Sequence, residues 1–189
     1  ATDLSALLED QKARRGLSVI ELEEIAAAVQ THLREVIRQA GGEIPFDRFM
    51  EQALYAPGLG YYVNGRRRFG EPGDFVTAPE LSPLFGICLA NQLAQCLASL
   101  GGGNILEFGP GSGKLAADVL LRLESLGRLP DRYLLLELSP DLQQCQRETL
   151  ADRAPHLLER VDWLQTLPEQ GFAGIMFGNE LLDAMPVQR

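Results

Sequence analysis

A glycine-rich loop follows an apolar run near the middle of the chain. The run Ile105-Leu106-Glu107-Phe108 leads directly into Gly109-Pro110-Gly111-Ser112-Gly113. An apolar strand that turns through a loop into a helix is where open α/β sheets bind their ligands. Glycine has no Cβ, so a ligand can lie directly against the loop backbone. The loop therefore predicts a ligand site at the carboxyl end of a strand.

The spacing of the glycines separates several kinds of loop. A phosphate-binding P-loop would need glycine in place of Phe108 and a hydroxyl in place of Leu115, so that pattern fails. A dinucleotide loop would need its third glycine where Lys114 stands, so that pattern fits in part. A glycine turn without any ligand is the simplest alternative. The E-x-G-x-G-x-G pattern of class I methyltransferases is matched in full by Glu107, Gly109, Gly111 and Gly113.

Acidic and aromatic residues follow at the ends of later apolar runs. A carboxylate at Glu107 would attract the ammonium group of S-adenosyl-L-methionine, whereas it would repel a pyrophosphate. Glu137 stands about where the ribose-binding acid of a nucleotide site is expected, although a solvated strand end is the alternative. Asp162 and Trp163 close the third run, where an acid can accept from an adenine amino group and an aromatic ring can cover the base. Trp163 could also simply fill the core.

The segment from residue 104 onward alternates short apolar runs with helical stretches. The runs cover 104–108, 133–137, 160–163 and 174–177, and the helical stretches cover 114–126 and 139–153. This alternation predicts an α/β fold with a parallel, doubly wound sheet and right-handed crossovers.

The first hundred residues have mostly helical patterns. A capping box at Ser18 begins a helix that ends at Gly41-Gly42, and a shorter helix is predicted from Pro45 to Leu54. Residues 55–79 predict an irregular segment or a hairpin with a tight turn at Asn64-Gly65. Ser82 caps a further helix that reaches Gly101, and its apolar face is expected to contain the core thiols Cys88 and Cys96.

Composition excludes several classes of protein. The chain is 46% hydrophobic and has 17 basic against 26 acidic residues, a net charge of −9, which disfavours binding to nucleic acid or to an anionic membrane. Three widely spaced cysteines and two histidines predict neither a disulfide framework nor a metal site. No stretch approaches the ~20 apolar residues of a membrane span, so we expect a reduced, cytoplasmic protein.

Three further stretches of the sequence resemble those of a known family. On the basis of these stretches, the chain resembles the MidA-like methyltransferases, the family of the mitochondrial complex I assembly factor that methylates a protein arginine. The resemblance covers residues 45–189. The stretches are Tyr55-Ala56-Pro57-Gly58-Leu59-Gly60-Tyr61-Tyr62, the run from Phe69-Gly70 through Gly73-Asp74-Phe75-Val76-Thr77-Ala78-Pro79-Glu80-Leu81-Ser82-Pro83-Leu84-Phe85-Gly86, and Gly178-Asn179-Glu180-Leu181-Leu182-Asp183-Ala184-Met185-Pro186-Val187.

The resemblance implies a class I (Rossmann-like) methyltransferase fold that uses S-adenosyl-L-methionine. It divides the chain into a helical extension (1–54), a loop and helix that cover the cofactor site (55–103), and the first half of the methyltransferase domain (104–189). It implies that Thr77, Pro79 and Glu80 lie near the methionine end of the cofactor, and that Asn179 and Glu180 lie beside the transferable methyl group.

The substrate side of the site is expected to be acidic. Glu180 could hold an arginine guanidinium through two hydrogen bonds, with Asp183 as a second acid, whereas the alternative is that both merely cap the following turn. The implied reaction is SN2 methylation of a protein arginine, with a respiratory-complex subunit as one candidate substrate and a homodimer as one candidate assembly. In a eukaryote the mitochondrial matrix would replace the cytoplasm. The alternatives are a non-catalytic assembly factor and a nicotinamide-dependent oxidoreductase.

Two other features complete the expectations. The basic cluster Arg66-Arg67-Arg68 is interpreted as a solvated loop tip. The chain after Gly113 accommodates three further strands, so it holds four where the class I order 3-2-1-4-5-7-6 has seven. We therefore expect a fold that is incomplete at its C-terminus, in a chain longer by about 150 residues. The piece alone would be inactive, bind cofactor weakly and self-associate through its fourth strand.

Overall fold

The computed structural model describes residues 19–63, 77–169 and 171–188. The chain divides into two compact units, one of Val76–Leu181 and one that combines Ala1–Phe75 with Leu182–Arg189. The expected division at residues 54 and 103 stays a prediction. The Ser18 cap, the Asn64-Gly65 turn and the basic cluster at 66–68 lie outside the described residues.

In residues 19–63 and 182–188, the first unit shows two helices and a short C-terminal turn. Helix α1 spans Val19–Gln39 and helix α2 spans Phe46–Tyr55, and the turn is the 3-10 segment Leu182–Ala184. The helices are joined by a 2.8 Å hydrogen bond between the side chains of His32 and Gln52. The Tyr55 hydroxyl donates to the Ala184 carbonyl at 2.8 Å and so attaches the C-terminal turn to α2.

The stretch that follows α2 folds back onto the end of that helix. The Gly60 N–H donates to the Ala56 carbonyl at 2.6 Å, and the Tyr62 N–H donates to the Leu54 carbonyl at 2.9 Å. A Cβ on Gly60 would lie 2.5–2.7 Å from backbone atoms of residues 54–56. Only glycine fits there, which gives a physical reason for the second glycine of the Tyr55–Tyr62 motif.

The second unit is built on a four-stranded parallel sheet. Its strands are β1 (Asn104–Phe108), β2 (Tyr133–Leu136), β3 (Val161–Leu164) and β4 (Gly174–Gly178), in the order β3-β2-β1-β4. This confirms the predicted α/β fold and the first four positions of the class I order. β1 has the predicted bounds, β2 and β4 differ from the apolar runs by one residue at one end, and β3 is shifted by one residue at both ends. Self-association through β4 stays a prediction.

Helices cover this sheet. They are α3 (Ala78–Leu81), α4 (Pro83–Leu100), α5 (Lys114–Ser125) and α6 (Pro140–Arg153), followed by the 3-10 segment Pro155–Arg160. The predicted Ser82 cap forms, because its hydroxyl accepts from the Leu84 N–H, and Ser139 caps α6 in the same way by accepting from the Leu142 N–H. Side chains of α4, α5 and α6 form one apolar core with the strands. Ile105 and Leu106, neighbours on opposite faces of β1, are both fully buried, as expected for an inner parallel strand.

Helix α4 packs through a different face from the one expected. The prediction of core thiols is wrong, because Cys88 and Cys96 are exposed. The physical reason is a stripe of small residues that lets α4 approach α5 closely. A Cβ on Gly86 would lie 2.6 Å from Cβ of Asp118. The buried residues of α4 are Gly86, Ala90, Leu93, Ala94 and Leu97.

The same helix corrects one expectation about membranes. By length and composition alone, Pro83–Leu100 could cross a bilayer, and it is the one helix among the described residues that could. The statement that no stretch approaches this apolar length is therefore wrong. Its small-residue stripe is nevertheless buried in the core of the sheet unit.

Gly86→Ala should destabilise the protein by about 1–3 kcal/mol, because the new Cβ has no room beside Asp118. Helix propensity alone would make the alanine variant more stable by about 1 kcal/mol. A loss of stability would therefore show that the steric effect outweighs propensity. Chemical denaturation measures the difference. Gly171→Ala is the control, since a Cβ there meets nothing within 4 Å. A Gly86→Ala protein more stable than its parent would contradict the close α4–α5 approach.

Candidate functional site

The glycine loop lies between β1 and α5 and depends on left-handed backbone. Gly109, Gly111 and Gly113 have φ angles of 60°, 56° and 80°. A Cβ on Gly113 would lie 3.0 Å from Cα of Gln146, and one on Gly109 would lie 3.2 Å from Cδ1 of Leu181. Other residues would thus be strained both by the backbone angle and by their surroundings.

Glu107 lies in β1, immediately before the loop, and is 2% exposed. The Tyr133 hydroxyl donates to its Oε2 at 2.7 Å. Burial removes water from the carboxylate and raises its pKa to about 7, although the hydrogen bond from Tyr133 acts in the opposite direction. Burial also raises the pKa of Tyr133. Across the described ranges, no basic side chain pairs with Glu107, so the site holds an acid without a cation.

Glu137 directly follows β2 and is buried, so it is not a solvated strand end. Its Oε1 accepts from the Ser139 N–H at 2.9 Å, and its Oε2 accepts from Nε2 of Gln146 at 3.3 Å. Burial raises the pKa of Glu137, whereas these hydrogen bonds lower it. A second desolvated carboxylate therefore lies at the carboxyl end of the strand beside β1.

Gln146 joins the loop to this acid and was missed by the sequence analysis. Its Nε2 donates to the Gly111 carbonyl at 2.9 Å as well as to Glu137, and its Oε1 accepts from Nε1 of Trp163 at 3.0 Å. The signal that could have revealed it is a polar residue within an apolar stripe, since its neighbours Leu142 and Leu150 on α6 are buried too. Gln146 brings Gly111, Glu137 and Trp163 together.

Asp162 does not join this group. It is the second residue of β3, which runs on to Leu164, so the expectation that it closes the strand is wrong. Its carboxylate binds the Arg132 guanidinium through two hydrogen bonds, one of them 2.6 Å from Nε. Successive residues of a strand face opposite sides of the sheet, so Asp162 and the adjacent Trp163 point apart. One face of the Trp163 ring is covered by the Arg147 guanidinium, 3.8 Å from the ring centre.

Helix α3 rests on the glycine loop through Glu80. The Ser112 hydroxyl donates to the Glu80 carboxylate, and Nζ of Lys114 donates to the Glu80 carbonyl at 2.7 Å. Lys114, which interrupts the dinucleotide pattern, thus has a structural role. Thr77 precedes α3 and accepts from the Glu80 N–H at 2.9 Å, and Pro79 is buried. Of the expected methionine-end residues, Glu80 therefore contacts the loop, and Thr77 and Pro79 precede Glu80 in the same short segment.

Asn179 and Glu180 directly follow β4. Glu180 has a φ of 50°, which makes it the one non-glycine residue with left-handed backbone in the part of the chain that the structure describes. Its side chain is exposed, and Asn179 is half-buried. Asp183, also exposed, belongs to the other compact unit. Within residues 171–188, no hydrogen bond from Glu180 or Asp183 caps the turn, so the capping alternative gains no support.

The donor set can be tested against the ligands considered for the loop. Glu107 and Glu137 are both buried, and in the described ranges neither has a basic partner. Two carboxylates beside the loop would repel a pyrophosphate but suit an ammonium group and ribose hydroxyls. The residues present therefore fit S-adenosyl-L-methionine better than a dinucleotide.

The raised pKa of Glu107 predicts a pH-dependent stability. The folded pKa of about 7 lies above the unfolded value near 4.5, so the contribution of this group is fully present below pH 4.5 and lost as pH rises to 7. Relative to Glu107→Gln, whose amide does not ionise, the parent should lose about 3 kcal/mol over this window. Groups common to both proteins cancel in the difference. Denaturation from pH 4.5 to 8 measures it, and a constant difference would refute the burial argument.

Comparison with known proteins supports this chemistry. Residues 88–189, more than half of the chain, match the model of a family described as "Putative S-adenosyl-L-methionine-dependent methyltransferase". The protein arginine methyltransferase NDUFAF7 homolog of Drosophila melanogaster is 33% identical over 78% of this chain and 38% of its own length. The Xenopus tropicalis NDUFAF7 is 31% identical over 87% of this chain and 43% of its own. Both names include the word mitochondrial.

A solved structure shows the same architecture. A Burkholderia thailandensis protein crystallised with S-adenosyl-homocysteine is 51% identical, with a TM-score of 0.81 over 86% of this chain and 43% of that one. The chain thus spans about two fifths of the length of these relatives. On the family match and the shared fold, the chain belongs to the MidA-like family of S-adenosyl-L-methionine-dependent methyltransferases.

Proposed function

We propose that the protein transfers a methyl group from S-adenosyl-L-methionine to an arginine side chain of a protein substrate. The observation that carries the proposal is the pair of buried acids, Glu107 and Glu137, at the carboxyl ends of adjacent strands next to a glycine loop with left-handed backbone. The relatives named as protein arginine methyltransferases support the choice of substrate.

Each end of the cofactor has its own candidate residues. Glu107 would face the ammonium group, and Glu137 would accept from the ribose hydroxyls. Thr77, Pro79 and Glu80 remain candidates for the methionine end, because Glu80 is held against the loop by Ser112. At the adenine end, Trp163 remains a candidate because its indole N–H bonds to Gln146, which also contacts the loop, whereas the Asp162 carboxylate is already bound to Arg132.

The arginine would be held by the acids that follow β4. Glu180 presents an exposed carboxylate that can bind a guanidinium through two hydrogen bonds, and Asn179 and Asp183 are further candidates from the same stretch of sequence. The left-handed backbone of Glu180 supports a functional role, because strained non-glycine residues concentrate at active sites.

The bound cofactor supplies an activated methyl group, so little acid–base power is required of the protein. The chain's own residues act mainly by position. Glu180 would orient one guanidinium nitrogen toward the methyl group and stabilise the cation of the product. The backbone of Gly109 and Gly111 would allow close approach on the cofactor side.

The substrate protein and the compartment are further parts of the proposal. A respiratory-complex subunit is one candidate substrate. The word mitochondrial in the names of the animal relatives favours the matrix for a eukaryotic chain, and the cytoplasm is the counterpart in a bacterium.

Gly109→Val should abolish binding of S-adenosylhomocysteine, because a β-branched side chain is strained at φ 60° and fills the approach to the loop. Gly127→Val is a matched control, since Gly127 has φ 62° and open space around its Cβ position, outside the loop. Calorimetry on the intact protein should show that S-adenosylhomocysteine binds to the parent and to the control variant, and that NADH binds to neither. Parent affinity in Gly109→Val would refute the assignment of the loop, and binding of NADH would favour the oxidoreductase alternative.

Glu180→Gln should lower the rate of arginine methylation at least about ten-fold and leave cofactor affinity nearly unchanged, since a charged contact to the substrate is lost. Glu180→Gly should lower the rate too, yet stabilise the protein by about 1 kcal/mol, because glycine relieves the left-handed strain. Mass spectrometry of arginine methylation and chemical denaturation measure the two effects. Glu169→Gln, at an exposed acid, is the control for net charge. A parent rate in Glu180→Gln would exclude a catalytic role.

A further inference from the structure

Gln146 is a fully buried polar side chain. Three of the four hydrogen-bonding positions of its carboxamide are occupied. Its carboxamide has two N–H donors and an oxygen with two lone pairs. The donors meet the Gly111 carbonyl at 2.9 Å and the Glu137 carboxylate at 3.3 Å, and the oxygen meets the indole N–H of Trp163 at 3.0 Å. Three separate segments of the sheet unit therefore converge on one side chain.

The orientation of this carboxamide follows from the chemistry of its partners. An indole N–H is a donor only, so it must face the amide oxygen of Gln146. The Gly111 carbonyl accepts only, so it must face the amide nitrogen. If the amide were flipped, Trp163 would meet a donor and Gly111 an acceptor, and both contacts would be repulsive. Trp163 and Gly111 together therefore determine which end of Gln146 points at Glu137.

Because the Glu137 carboxylate is buried, its few hydrogen-bond donors determine how it is oriented. The Glu137 carboxylate lies among few polar groups, and one of its two oxygens is held by the Ser139 N–H. The other oxygen depends on Gln146 for its direction. Gln146 also restricts the residue type in the glycine loop, because a Cβ on Gly113 would lie 3.0 Å from Cα of Gln146. Gln146 thus sets the spacing between the loop and the acid.

We propose that Gln146 is a positioning residue that aims the Glu137 carboxylate at the ribose diol of the cofactor and so determines selectivity for ribose over deoxyribose. The inference rests on the proposed function, because it assigns the ribose to Glu137. Gln146 itself need not contact the ligand. Its role is carried by the contacts to Glu137 and Gly111, and Trp163 and Gly111 together orient it.

The test compares S-adenosylhomocysteine with its 2′-deoxyribose analogue by calorimetry on the intact protein. The parent should prefer the ribose form by about ten-fold or more, the usual effect of one hydrogen bond to a charged group. Gln146→Leu keeps the size of the side chain and removes all three contacts. It should weaken binding of the ribose form and bring the ratio of the two affinities close to one.

Two further variants make the result specific. Trp163→Phe keeps the ring but removes the N–H, so the carboxamide of Gln146 loses one of the three contacts that hold it, and the ratio should fall in the same direction by a smaller factor. This variant also tests the proposal if Gln146→Leu does not fold. Gln144→Leu, the same change at an exposed position of α6, should retain the parent ratio.

The outcomes separate this inference from the proposed function. Equal weakening of both ligands in Gln146→Leu would mean that the residue only supports the fold, and would overturn the inference while leaving cofactor binding intact. A parent that binds both ligands equally would overturn it as well. A parent that binds neither ligand would refute the proposed function itself.

Discussion

The structure depends on the desolvation of two carboxylates at the carboxyl ends of adjacent parallel strands. Parallel strands place their ends side by side, so Glu107 on β1 and Glu137 after β2 come together without any specific contact between them. The core that stabilises the sheet also removes water from both acids and raises their pKa values. Each acid is therefore surrounded by neutral donors, Tyr133 for one and Ser139 and Gln146 for the other.

The loop between these acids is constrained from several sides. Left-handed backbone at Gly109, Gly111 and Gly113 turns the chain from β1 into α5, and α6 approaches so closely at Gln146 that Gly113 must lack a Cβ. From the other direction, α3 rests on the loop through Glu80. The glycines thus serve the protein's own packing as well as the approach of a ligand. A glycine pattern in a sequence cannot separate these two demands, whereas the geometry can.

Much of the sheet could be predicted from the sequence, because buried strands leave continuous apolar runs bounded by turn residues. β1 is an example, with its bounds correct from 104 to 108. The errors have physical causes. The buried face of α4 was wrong because its small residues, Gly86 and Ala90, pack closer than the larger apolar ones. Asp162 was placed at a strand end although β3 extends to Leu164, and its partner Arg132 is 30 residues away, which no local pattern reveals. Gln146 was missed because its three partners belong to different segments.

Burial also separates the acids of the site into two groups with different uses. Glu107 and Glu137 are held in a dry environment, which suits a ligand that brings its own positive charge and hydroxyl groups. Glu180 and Asp183 are exposed, and no hydrogen bond in the described part of the chain engages their carboxylates, so they remain available to a charged group that arrives from solvent. A guanidinium on another protein is such a group, and it can be bound and released without entering the core. Left-handed backbone is costly for a residue with a Cβ, and such residues concentrate at functional sites, so the conformation of Glu180 favours it, rather than the buried acids, as the candidate for contact with a substrate.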